Sequence, residues 1–257
     1  MKKPSDIKAK SKAGRRPTPV ASPMALAPIQ RETMHHKVYR ALRDALIYGR
    51  FAPGEVLTIS ELAASLDTST MPVRDALARL ISEQALEEMP NRSVRVPLLD
   101  RQRLVDLKHA RSLIENEALA LAAKRLTSSD FKALYGTISA YAEAMARRGL
   151  TPIEVELEAN RAFHFRLYQA SGSSVMMPII ESLWLQSGPI LRTAVSGFDP
   201  SSGVEAPHYH QEILVALEAG NIKAAHAALD QDISRAFDIV VKKMMDDTHA
   251  AKTSDAA

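Results

Sequence analysis

Apolar residues recur at helical spacing along most of the chain, and the interruptions mark its organisation. From His36 to Tyr48, "HKVYRALRDALIY" sets Val38, Leu42, Ala45 and Leu46 on one face, the period of an amphipathic helix. Gly49 stops that pattern and Pro53-Gly54 turns the chain. "TISELAASL" predicts a short second helix, with Ser60 as its cap and Leu62, Ala63 and Leu66 inward. After the polar turn "DTST", a third helix is expected from Pro72 to Gln84. Val73, Leu77, Leu80 and Ile81 face inward on it, and Arg74, Asp75, Ala78 and Ser82 face outward. "ALEEMPNRSVRVP" then gives two short extended runs around Pro90-Asn91, which predicts a small hairpin.

Beyond Asp100 the helical period takes over. Six segments carry it: "LVDLKHARSLIENEALALAAKRL", "SDFKALYGTISAYAEAMARR", "IEVELEANRAFHFRLYQAS", "VMMPIIESLWLQSGPILRTAVSG", "APHYHQEILVALEAG" and "IKAAHAALDQDISRAFDIVVKKMM". Short breaks rich in Gly, Pro and Ser separate them, so neighbouring helices pack antiparallel. The expected fold is mainly α. A winged helix-turn-helix of three helices plus a hairpin spans residues 31–97, an all-α bundle spans 100–247, and a disordered tail spans 248–257.

Residues 1–30 break the pattern altogether. They are rich in Pro, Ala, Ser and Lys without a period, so they bury too little to order themselves and read as a disordered arm. The formal net charge is +3, and its location matters more than its size. The arm carries seven Lys or Arg against Asp6, residues 31–96 carry nine of each sign, and 97–257 carry seventeen basic against twenty acidic residues. The arm is either a solvated tail or an added source of unspecific phosphate affinity.

A chain of 257 residues with 46% hydrophobic content can bury one large core or two modest ones. Cysteine is absent, which rules out disulfides and thiolate metal sites and leaves His, Asp, Glu and Asn as ligands. No apolar run has the length of a secretory or membrane-spanning segment, so the chain is expected in the cytoplasm, away from membranes.

In "TSTMPVRDAL" the proline falls in the first turn of the third helix, where its missing N–H costs little and its fixed φ pre-sets the turn. The free amides of that turn and the helix dipole favour a phosphate. The ordered series "LRDALIYGRFAPGEVL", "ELAASL", "MPVRDALARL" and "PNRSVRV", followed by "ARSLIENEALALAA", "NRAFHFRLYQASGS" and "HQEILVALEAGNIKAAHAALDQDI", resembles GntR-family transcription regulators of the FadR-like group. Their C-terminal effector domain is called FCD. The resemblance covers residues 33–245.

The resemblance implies that the third helix enters the major groove of double-stranded DNA. Thr70, Met71 and Arg74 then read or anchor DNA from its first turns. Arg43 on helix one is a candidate phosphate contact, and Arg92 and Arg95 on the wing are candidates for the backbone or minor groove. Relatives often carry Arg where this chain has Ser60 and Thr70, and Gly where it has Ser93. These departures imply a different operator, with Arg74 as the main base-reading residue.

Many FCD domains hold a divalent metal with one Asp and three His. The matching positions here are Asn160, His164, His210 and Asp232, so the aspartate is displaced rather than lost. Zn or Ni suits such a set; in the alternative, the same polar cluster binds an organic acid directly. Arg111 matches a cavity arginine that grips a carboxylate, unless it pairs with Glu115; Arg192 and Arg161 are further candidates. His208 and His226 fit the motif poorly and read as surface or supporting residues.

The function implied is a homodimeric, ligand-responsive regulator on a palindromic operator, a repressor of catabolic or transport genes released by a small carboxylate metabolite. Two alternatives remain in view. One is a metal-dependent helical enzyme, although neither HExxH nor GxSxG occurs. The other is a helical interaction protein that does not bind DNA.

Overall fold

Threonines open the first two helices. In the computed structural model, which describes residues 33–90, 93–98, 100–197 and 206–254, Thr33 Oγ1 accepts from His36 N at 3.3 Å to cap α1 (Met34–Ile47). Thr58 does the same for Glu61 N at 3.3 Å to start α2 (Ile59–Ser65). The cap of α2 is therefore Thr58 and not Ser60, which lies inside the first turn with its hydroxyl 3.2 Å from that of Thr58. The basic arm expected at 1–30 lies outside the described residues.

The third helix, α3 (Thr70–Ser82), begins two residues earlier than expected, and its N-cap Ser69 makes no side-chain capping bond. Val73, Leu77 and Leu80 are buried, Ile81 is half-buried, and Arg74, Asp75, Ala78 and Ser82 are exposed, as the period requires. The hairpin gains a third member. Strand β1 (Val56–Leu57) precedes α2, and with β2 (Glu87–Glu88) and β3 (Val94–Arg95) it forms an antiparallel sheet in the order β1-β3-β2. Two residues carry no alternation, which is why the sequence did not reveal β1.

Six helices follow: α4 (Arg101–Ala123), α5 (Ser128–Ala146), α6 (Ile153–Gln169), α7 (Met176–Ser196), α8 (Ala206–Glu218) and α9 (Ile222–Ser254). No Gly or Pro interrupts the last of them, and it continues past residue 248, where a disordered tail was expected. Phe163, Tyr168, Trp184 and Phe237 lie at the centre of the bundle.

One bundle helix serves both cores. Leu185 of α7, 1% exposed, belongs to the hydrophobic core of the winged helix together with Leu46 and Ile47 of α1. Three residues on, a β-carbon at Gly188 would overlap the carbonyl oxygen of Leu46. Gly49, at φ +59°, has its own open side 2.9 Å from the oxygen of Gly188. Around this close approach Arg43 pairs with Glu181 at 2.8 Å, and Arg103 donates to Gln84 O at 3.0 Å and Gln186 Oε1 at 3.2 Å.

The two helical glycines Gly136 and Gly188 should respond oppositely to alanine. Ala is favoured over Gly in a helix interior by about 0.5–1 kcal/mol, and a β-carbon at Gly136 meets nothing within 4 Å. Urea denaturation should therefore show Gly136→Ala neutral or stabilised by up to about 1 kcal/mol. Gly188→Ala should lose about 1–3 kcal/mol, because a carbonyl of α1 must move; equal stability of the two variants would refute the close approach.

Candidate nucleic-acid interface and metal centre

The uncapped start of α3 leaves helix amides free beside exposed Thr70 and Met71. Arg74 stands one turn in, exposed, with no ion pair or hydrogen bond to the described residues. Other arginines of the winged helix are committed. Arg43, expected to reach a phosphate, is turned instead onto Glu181 of α7. Arg95 pairs with Glu87 at 2.7 Å, its antiparallel partner across the sheet, and Arg79 lies over the Tyr39 ring while bonding Glu83. Arg92 lies outside the described residues. Ser60 is exposed, and Ser93 is buried. A contact not anticipated from sequence is His35 to Asp75 at 2.7 Å, which ties the first turn of α1 to the outer face of α3.

In the bundle, helical spacing and antiparallel packing gather side chains from three helices. His164 of α6, His210 of α8 and Asp232 of α9 are all buried. His164 Nε2 lies 3.1 Å from His210 Nε2 and 3.1 Å from Asp232 Oδ2, and His210 Nε2 lies 3.7 Å from the same oxygen. Three atoms with lone pairs this close require a positive centre between them, a proton or a metal ion. The separations match neighbouring ligands around an ion held at about 2.0–2.2 Å from each. Two imidazoles and a carboxylate suit Zn or Ni, so the residues present fit a divalent metal.

Burial pushes His210 down to about 4, so its imidazole is neutral at ordinary pH and ready to act as a ligand. Burial opposes ionisation of Asp232, but the adjacent imidazoles of His210 and His164 outweigh it and hold the carboxyl well below the usual carboxylate range. Asn160, the fourth expected donor, is buried one turn before His164. It lines a small cavity of about 20 Å³ with Tyr141, Arg148, Glu156 and Arg235.

Behind His164 stands a layer that sequence reasoning only touched. Glu115 is fully buried and accepts from Arg111 Nε at 2.7 Å, Arg111 Nη2 at 3.3 Å, Trp184 Nε1 at 3.1 Å and Tyr168 Oη at 2.5 Å. The Arg111 guanidinium also lies 4.5 Å from the Trp184 ring centre. Arg111 is thus the buried partner of Glu115, but its Nη1 has no hydrogen-bond partner. Tyr168 was missed, although its i+4 spacing from His164 on one helix was legible; Oη lies 3.1 Å from His164 Nδ1.

The remaining candidates are elsewhere. Arg192 pairs with Glu154 at 3.0 Å and packs on Gly49, at the junction of α1 and α7 and not at the cluster. Arg161 lies over Phe165 at 4.0 Å, and its charge partly offsets the rise that burial imposes on the Tyr48 phenol at the end of α1. His208 forms an exposed pair with Glu212, and His226 buries an Nε2 without a partner.

Comparison with known proteins agrees with both halves. Residues 35–96 match the bacterial regulatory proteins of the gntR family, and residues 106–235 match the FCD domain. The chain is 30% identical over 183 residues to the HTH-type transcriptional regulator McbR of Escherichia coli K12, covering 71% of this chain and 81% of that protein. It is 25% identical to the HTH-type transcriptional repressor RspR of the same strain, covering 79% of this chain and 86% of that one. The solved structure of E. coli McbR/YncC superimposes with a TM-score of 0.75 at 26% identity, over 83% of this chain and all of that one. Among the described residues no helix is long and apolar enough to cross a membrane. A gntR-family winged helix joined to an FCD bundle, together with the 30% identity to McbR, places this chain in the GntR family of bacterial transcription regulators.

Proposed function

We propose that the chain is a homodimeric repressor whose FCD domain holds a divalent metal and a small organic acid, and that ligand binding there changes the hold of the winged helices on a palindromic operator. The observation that carries this reading is the double role of α7. Trp184 hydrogen-bonds Glu115 beside the histidine cluster, and the next residue, Leu185, is packed in the core of the winged helix. A change at the cluster therefore has one residue to travel before it bears on α1.

His164, His210 and Asp232 are the proposed ligands, with Asn160 lining the space beside them; bound metal would supply a Lewis-acidic point to which a carboxylate can attach. The unpartnered Nη1 of buried Arg111 supports an acidic effector, since a carboxylate is the natural acceptor for that donor. Arg192 belongs to the joint between α1 and α7 in this reading. Control of neighbouring catabolic or transport genes remains the expected role.

On the DNA side, exposed Arg74 carries base reading, with Thr70 and Met71 beside it and the free amides of the α3 start on a phosphate. Arg74→Ala should abolish preference for an operator-bearing fragment over a scrambled one in fluorescence anisotropy. Sedimentation should still report the wild-type dimer. Unchanged preference would move recognition to the wing or the amino-terminal arm.

The metal reading has an internal reporter, because Trp184 is the single tryptophan of the chain and its ring centre is 5.2 Å from that of His164. Adding Ni²⁺ to chelator-treated protein should quench Trp184 emission, and His164→Ala should remove the response. Elemental analysis should find metal in the wild type and little in His164→Ala or His210→Ala. Equal content in all three would dispose of these ligands.

A further inference from the structure

Hydrogen-bond arithmetic around Tyr168 fixes more than its own position. A phenol has one proton to give. Glu115, ion-paired to Arg111 at 2.7 Å, is an acceptor on both oxygens, and Tyr168 Oη lies 2.5 Å from one of them. The single proton of Tyr168 is therefore committed to Glu115, and the oxygen keeps only lone pairs for its other neighbour, His164 Nδ1 at 3.1 Å. Nδ1 must be the donor in that contact. The imidazole then directs Nε2 at His210 and Asp232.

We propose that Tyr168, oriented by Glu115, is a positioning residue for the metal centre, holding the proton of His164 on Nδ1 so that Nε2 is the atom offered to the cation. The inference rests on the reading of His164 as a ligand. Metal-bound imidazoles are commonly oriented in this way by an acceptor on their far nitrogen, and loss of that acceptor typically weakens metal binding 10–100-fold. The second imidazole lacks such a support: His210 Nδ1 has no hydrogen-bond partner, and its ring is held by stacking on Phe163 at 4.0 Å and 11°. Preorganisation of the site is thus concentrated in one ligand.

The Glu115→Gln variant should reverse the relay. The amide oxygen belongs where Glu115 Oε1 now accepts from both Arg111 Nε and Trp184 Nε1. That orientation turns an N–H₂ toward Tyr168, whose proton must then go to His164 Nδ1, leaving the imidazole proton on Nε2, where the metal should bind.

The test uses full-length protein and Zn²⁺ alone. Zinc affinity is measured by competition with a chromophoric chelator for wild type, Tyr168→Phe and Glu115→Gln, and nitrogen-15 NMR reads which nitrogen of His164 bears the proton in zinc-bound protein. The expected result is a proton on Nδ1 in the wild type and affinity about 10–100-fold weaker in both variants. Thermal unfolding of the metal-free forms and near-ultraviolet circular dichroism separate this from unfolding, since a purely structural Tyr168 would lower the Tm and leave zinc affinity unchanged. Wild-type affinity in a folded Tyr168→Phe, or zinc bound through Nδ1, overturns the positioning role while leaving the metal site intact. A wild type that binds no zinc overturns the metal reading itself.

Discussion

Everything that links the two halves of this molecule depends on an approach of two backbones that only glycine permits. Where Gly188 of α7 meets the carbonyls that end α1, there is no room for a β-carbon, and that proximity sets the register of the whole joint. It places Leu185 among the apolar residues of the winged helix and brings Glu181 onto Arg43. Pro189 follows at once inside α7 and cannot donate to the carbonyl four residues back, that of Leu185. The segment of α7 that touches α1 is thus the one where its own hydrogen-bond ladder is weakest.

The buried charges of the bundle make poor sense as stabilising devices. Glu115, Arg111, Glu156 and Asp232 are each less than a tenth exposed. Desolvating such groups costs about as much as their pairing returns, so apolar residues of similar shape would serve stability as well or better. Arg111 moreover buries one nitrogen without a partner, and His210 another. Asn116, Arg161 and His226 also bury an unpartnered polar atom, but those of Arg111 and His210 belong to the charged layer around the cluster, and an unpaired buried group there is a cost that a bound ligand could remove.

Periodicity made the helices legible because amphipathic faces survive in any packing. It also placed Arg74 outward and brought Asn160 and His164 onto one face of α6. It could not show where an exposed arginine would find a partner. Arg43 and Arg192 are claimed by Glu181 and Glu154 through contacts between segments far apart in sequence, and nothing local announces such pairs. The same limit hid β1, whose two residues pair with β3. The resemblance to FCD domains supplied the three cluster residues, and the structure brings them within bonding distance. Glu115 was visible only as a helical neighbour of Arg111, whereas its bonds to Tyr168 and Trp184 arise from helix packing.

The joint also bears on how much a ligand must do. A bound effector changes DNA affinity only by the difference in its affinity for two arrangements of the protein, and couplings of about 1–3 kcal/mol correspond to roughly 5–150-fold in binding. One or two hydrogen bonds are worth as much. Of the helices around the cluster, α7 packs directly on α1. On it Trp184 and Leu185 face opposite cores, and from α6 the charge of Arg161, the residue after Asn160, acts on Tyr48, which packs against both cores. A coupling on this scale therefore needs no large rearrangement within the chain. Because Leu185 sits in the core of the winged helix and Pro189 withholds one hydrogen bond from α7, a small change at Trp184 bears on α1 through the part of α7 that its own backbone holds least.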